Sequence, residues 1–334
     1  MVYRESDRIR DYAGRWLKGA NTGKPGELPS GSEMTEYQKI LAAECFRKLS
    51  PELQDMDPYD IDGDGRWLHV EYADGEIYEG PCVADADDAN MSMDVLKTTR
   101  NGDRPAICYP DNDIPRIASG IRSIRFTTPE EARKAAKREE IIGPGGTVGE
   151  GYMGASTYTG GKYDPRMSEA DKSKSIRQDL KALQKLGDIP KDWKISVRKN
   201  SYSGGYSIYA TITAPRNEIF EIPTADELFE RSYDGDRQAD RVINNFREKY
   251  DTTDRAAMDK HFNEIRKEFN DPNVERPRNS DLYRIETDDA KRVSKLANRV
   301  LASYRHTDSN SMVDYFNDDG YFNFEYRVTM PTER

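Results

Sequence analysis

Apolar positions along the chain follow two periods, and the changes between them divide it. Residues 3–18 place Tyr12, Trp16 and Leu17 among alternating charges. Residues 33–49 carry Tyr37, Ile40, Leu41, Cys45 and Phe46 at i, i+3, i+4 spacing, with Ser32 in position to cap. Both segments predict helices. The stretch GANTGKPGELPSGS between them is loop by composition, and Pro51 and Pro58 stop any helix that follows. From Arg66 the period falls to two. RWLHVEY, a turn at Ala73-Asp74-Gly75, and EIYEGPCV predict a β-hairpin, and PAICYP and IASGIRSIRF add strand candidates. Short strands with glycine turns predict a small curled sheet or SH3-like barrel. TTPEEARKAAKREEII then opens with a Thr cap, a first-turn proline and two acids, the signature of a helix.

Residues 143–168 hold eight glycines and no apolar period, which predicts a linker. A phosphate-cradling loop is the sharper reading, but no G-K-[ST] follows and no strand precedes it. Beyond it, SEADKSKSIRQDLKALQKLGDI predicts a helix capped by Ser168 and stopped by Gly187 and Pro190. WKISVRK and YSIYATI, joined by NSYSGG, predict a second hairpin. Helices follow near 225–250, 254–269 and 287–304, and YFNFEYRV closes with period two. The expected class is α+β. Residues 1–142 form N-terminal helices plus a small acidic β-rich domain, and residues 169–334 form a two-layer domain with a small antiparallel sheet.

Composition narrows the class. The 334 residues are 34% charged with a mean hydropathy of −0.93, yet 35% hydrophobic with 20 tyrosines, which predicts modest cores under a solvated surface. No run approaches the length of a membrane span, and the charged start MVYRESDRIRDYAGRW lacks the apolar core of a signal peptide. Three scattered cysteines, Cys45, Cys82 and Cys108, fit a reduced, cytoplasmic setting.

Charge is segregated. Residues 51–113 carry 17 acidic against 4 basic side chains, whereas residues 114–210 carry 18 basic against 11 acidic. The acidic block repels phosphate and attracts basic surfaces, and its run ADADDAN offers Asp85, Asp87 and Asp88 as partner-binding candidates. In the basic block, the second hairpin supplies Arg198, Lys199, Tyr202, Tyr206 and Tyr209. Aromatic faces stack bases while cations meet phosphate, so these residues are candidates for binding nucleic acid. The plainer readings are solvated faces for the charges and helix packing for the tyrosines.

One stretch invites a sharper reading. DIDGDGRWLHVE, residues 60–71, matches the calcium-loop pattern at Asp60, Asp62, Asp64, Gly65 and Glu71. An EF-hand needs flanking helices, but Pro58 precedes the loop and a strand pattern leaves it. The stretch reads as an Asp/Gly turn opening a hairpin, and no metal or cofactor is assigned. The three histidines, His69, His261 and His306, show no ligand spacing, and no nucleophile motif is present.

WKISVRKNSYSGGYSIYATI followed by LANRVLASYRHTDSNSMVDYFNDDGYFNFEYRV resembles a large polyvalent protein associated domain, over roughly residues 170–330. The resemblance implies origin in a phage or other mobile element, and it carries over no catalytic residue. The leading expectation is therefore a non-enzymatic accessory protein that disables a bacterial defence system, of anti-CRISPR or anti-restriction type. It would bind a host protein or nucleoprotein in the cytoplasm. A nucleic-acid-binding factor in replication or transfer of the element is the alternative, and an enzyme acting on a host nucleotide or signal is a third. A basic stripe on the folded hairpin favours nucleic acid, and a continuous acidic face favours a protein target.

Overall fold

The computed structural model describes residues 48–54, 66–72, 77–81, 107–108, 116–117, 121–150, 155–233, 236–310 and 315–329. The calcium-like loop up to Gly65, the acidic candidates Asp85, Asp87 and Asp88, and the first two expected helices lie outside them, apart from the last residues of the second. The chain divides into two units, Met1–Ala135 and Ala136–Arg334. The class is mixed α+β, with several small sheets.

In the first unit a short helix, α1 (Pro51–Gln54), precedes β1 (Trp67–Tyr72) and β2 (Ile77–Pro81). Two-residue strands β3 (Ile107–Cys108) and β4 (Arg116–Ile117) pair with each other, and β5 (Ile121–Phe126) follows. The expected hairpin is present, and β5 joins it to give an antiparallel sheet of order β2-β1-β5. Its register shifts at Glu71/Tyr72, and among the described residues it does not close into a barrel. Alternation buries Leu68, Val70, Tyr72, Ile124 and Phe126, with Leu49 and Leu53, as one core.

Helix α2 (Pro129–Ile142) starts at a capping box. The Glu131 backbone N–H donates to Thr128 Oγ1 (3.2 Å), and the Glu131 carboxylate accepts from the Thr128 N–H (2.8 Å). Arg125 donates to both oxygens of the same carboxylate, at 2.8 and 2.9 Å. Arg125 first, then the Thr128 amide, pulls the Glu131 carboxyl down to about 2 from 4.5. A depressed carboxyl pKa contributes stability that is fully present above the unfolded value and is lost as pH falls through the folded one. Wild-type stability should therefore decline between pH 4.5 and about 2. Denaturant titrations across that window should show a shallower decline for Glu131→Gln, and an unchanged slope would refute the coupling.

The second unit is built on a three-stranded sheet. Helix α3 (Glu169–Leu186) is capped as expected: Ser168 accepts from the Asp171 amide, and Gly187 takes the left-handed conformation at φ 84°. Strands β8 (Lys194–Tyr202) and β9 (Gly205–Ala214) form the expected hairpin. Strand β14 (Tyr321–Val328) joins β9 on its other side, but runs parallel to it. The sheet, order β14-β9-β8, is thus mixed, not purely antiparallel. The physical reason is the connection: more than a hundred residues separate β9 from β14, and a crossover that long returns a strand in either direction. Helices α3 and α9 (Asp288–Ser303) supply the second layer, packing Ile176, Leu180, Leu183, Val293 and Ala297 against Val197, Ile208 and Ile212.

The long link from β9 to β14 carries a helical module: α4 (Arg216–Ile219), α5 (Ala225–Tyr233), α6 (Arg237–Tyr250), α7 (Arg255–Asn270) and α8 (Ser280–Tyr283). Strands β10 (Phe220–Glu221) and β11 (Ile285–Glu286) close its base. Its core holds Val242, Phe246, Met258, Phe262 and Tyr283. The single helix expected near 225–250 is two, because Asp236 accepts from the Gln238 amide and starts α6 afresh.

The glycine-rich segment also departs from expectation. It contributes β6 (Thr147–Glu150) and β7 (Ala155–Thr159), which join β12 (His306–Asn310) and β13 (Tyr315–Asp318) in an antiparallel sheet of order β13-β12-β7-β6. The glycines serve close approach here. A Cβ on Gly160 would stand 2.3 Å from the Ala302 carbonyl oxygen, so only glycine lets these backbones meet.

Candidate functional site

The mixed sheet has one face against helices and one face open. In β9, Tyr206, Ile208, Ala210, Ile212 and Ala214 point to the helices, which leaves Ser207, Tyr209, Thr211 and Thr213 on the other side. Register places Arg198 opposite Tyr209, Asn200 opposite Ser207 and Lys194 opposite Thr213. On the other flank Tyr321 lies opposite Ser207, Asn323 opposite Tyr209, Glu325 opposite Thr211 and Arg327 opposite Thr213. Phe322, Phe324, Tyr326 and Val328 of β14 pack on the core, so the alternation is consistent across all three strands.

Three tyrosines stand on this open face. Tyr202 is 45% exposed, Tyr209 38% and Tyr321 59%. Among the described residues the other well-exposed large apolar or aromatic side chains are Val148, Tyr250 and Leu282, so half of that set gathers here. Partial desolvation, then Tyr321 and Tyr209, raises the Tyr202 hydroxyl above its ordinary value.

The charge on the face is net positive. Glu325 accepts from the Thr211 hydroxyl (3.0 Å) and from Arg327 Nε (3.1 Å), which neutralises it locally. Lys194 and Arg198 are exposed and, among the described residues, have no ion-pair or side-chain hydrogen-bond partner. Arg198, opposite Tyr209, is a free cation beside the aromatic faces, and Lys194 lies four residues further along the same face, so phosphates and bases can be met on one strip. The small Ser196, Ser207, Thr211 and Thr213 lie on the same face, with Ser207 and Thr211 themselves buried, at 4% and 8% exposure.

The five hairpin candidates divide between the two faces. Arg198, Tyr202 and Tyr209 come together on the open side. Lys199 does not: it bonds the Glu169 carboxylate at 3.2 Å, beside the start of α3. Tyr206 is buried at 7% exposure, with its hydroxyl 3.3 Å from Lys172 Nζ, which also pairs with Asp319. Burial, then Asp319, keeps the Tyr206 hydroxyl protonated well above the usual range. Strand alternation puts both on the side of the helices, since successive residues of one strand turn to opposite faces. Tyr321 and Asn323 were absent from the expected set. The alternation of YFNFEYRV marks them as one face, but only the parallel pairing with β9 brings them beside Tyr209.

In the first unit, Glu71 lies on β1, where its carboxylate meets the His69 ring at 3.2 Å; the other ring nitrogen meets Glu79 at 2.9 Å. No group of three or more potential metal ligands occurs among the described residues. No helix among them is long and apolar enough to cross a membrane. Comparisons with family models, with curated proteins and with solved structures give no match.

Proposed function

We propose that this chain is a non-enzymatic binding protein that holds single-stranded nucleic acid on the open face of β8, β9 and β14. The observation that carries this reading is the gathering of Tyr202, Tyr209 and Tyr321 around the unpaired Arg198, with the unpaired Lys194 further along the same sheet face. Bases stack on the rings, and the cations neutralise adjacent phosphates. A flat sheet suits splayed, unstacked bases better than the ridged outside of a duplex. The resemblance in residues 170–330 supports a setting in a phage or mobile element, acting in the bacterial cytoplasm on its own or its host's nucleic acid.

Fluorescence anisotropy with a labelled single-stranded oligonucleotide tests this. Binding should weaken as salt rises, with a slope of about −1.4 for two phosphate contacts, at roughly −0.7 per contact for single strands. A duplex of the same sequence should compete poorly. No binding at low salt, or equal binding of duplex, would refute the reading.

A second reading, capture of a host defence protein through the acidic block, is supported by the 17-to-4 excess of acidic residues over 51–113. Charge reversal at Asp85, Asp87 and Asp88 tests it by asking whether inhibition of that defence is lost. In the same unit, the register shift at Glu71/Tyr72 supports a curled, SH3-like form of the sheet.

A further inference from the structure

The helical module holds a polar cluster that the open sheet face does not use. Lys249 and Tyr250 end α6, His261 lies on α7 and Tyr283 ends α8. Their rings meet edge to face: His261 is 5.0 Å from Tyr250 and 5.0 Å from Tyr283. The Tyr250 hydroxyl lies 3.3 Å from His261 Nδ1. Lys249 Nζ stands 5.2 Å from the Tyr250 ring centre and 6.0 Å from that of Tyr283.

Two features set this cluster apart. Tyr283 is completely buried, yet its hydroxyl has no hydrogen-bond partner. A buried hydroxyl without a partner is costly, and natural structures keep few of them. Lys249 forms no ion pair among the described residues, and the Tyr250 hydroxyl, then Tyr283, raises its pKa instead. The charged groups that act on His261 are Lys249 and, opposing it, Glu264.

We infer that Lys249, Tyr250, His261 and Tyr283 form a binding site for a phosphate-class oxyanion. The donor inventory selects the ligand. An ammonium, the Tyr283 hydroxyl and the one proton left over by the hydrogen-bonded Tyr250–His261 pair are available to a ligand, and none of the four side chains is a carboxylate. An oxyanion with three free oxygens accepts from all of them, whereas a metal cation would face Lys249 directly. The long, exposed Lys249 stem is the part able to swing, opening the way to the Tyr283 hydroxyl and closing over the ligand. Burial, then Lys249, lowers the His261 pKa and favours the neutral ring, which keeps one N–H donor.

The test is a thermal melt of the full chain in inorganic phosphate against sodium chloride at matched ionic strength. It is followed by the His261 ring resonance, assigned by comparison with a His261→Gln variant. Phosphate should raise the melting temperature above the chloride control and shift the His261 signal saturably. Lys249→Gln and Tyr283→Phe, which each keep most of the side chain, should lose both effects while remaining folded. A stronger effect from uridine 5′-monophosphate would identify a nucleotide as the source, and an equal one free phosphate; either supports the site. Absence of any phosphate-specific shift, or its persistence in both variants, overturns it.

Discussion

Replacing Lys291 by alanine should lower the unfolding free energy by about 3–5 kcal/mol, the usual cost of leaving one half of a buried ion pair alone. Lys291 on α9 and Asp236 at the start of α6 are each 2% exposed and bonded to each other. Asp236 also accepts the Gln238 amide, so it anchors the helical module to a helix of the central layer while starting α6. Losing several kcal/mol from a total of roughly 5–15 leaves little margin. Denaturation followed by circular dichroism measures the loss. The double variant Asp236→Asn with Lys291→Met should recover much of it, because neither charge is then stranded. A loss below about 1 kcal/mol, as at an exposed pair, would show that the pair is solvated and does not anchor the module.

The second large effect concerns the open face. Each stacked base contributes about 1–3 kcal/mol by alanine substitution, so Tyr209→Ala with Tyr321→Ala should weaken single-strand binding by about 2–6 kcal/mol. At about 1.4 kcal/mol per decade, the smaller figure is already roughly thirtyfold. Tyr206→Phe is the matched control. Its ring packs on the core side, so binding should hold even though the Lys172 contact is lost. Arg198→Glu should instead flatten the salt dependence, since it removes a phosphate contact and not a stacking surface. If Tyr206→Phe weakens binding as much as the double variant does, the assignment of faces is wrong.

Local signals in the sequence carried most of the elements. Ser168 and Gly187 bound α3 where the cap residues place them, and the Thr128-x-x-Glu131 box starts α2. The hairpin around NSYSGG and the period of YFNFEYRV were equally legible. What escaped was non-local. The parallel alignment of β14 with β9 depends on how a long helical insertion folds back, and no local pattern encodes it. The two strands in residues 143–168 escaped because their stability comes from the pairing of β7 with β12 and of β6 with β7, and from close backbone contact at Gly160, not from an apolar period.

The same division governs the candidate site. Arg198, Tyr202 and Tyr209 were readable as basic and aromatic residues on one hairpin. Their separation from Lys199 and Tyr206 follows from alternation alone, once the strands are taken at their registers. Tyr321 and Asn323 needed the assembled sheet. The cluster around Tyr283 needed three helices, since Lys249, His261 and Tyr283 span more than thirty residues and share no sequence motif.

Photocross-linking of a 4-thiouridine-substituted single strand, read by mass spectrometry of the cross-linked peptides, tests the central claim most directly. Adducts should fall on peptides of β8, β9 and β14, centred on Tyr209 and Tyr321. Adducts confined to other surfaces, with the tyrosines of the open face unmodified, would contradict it.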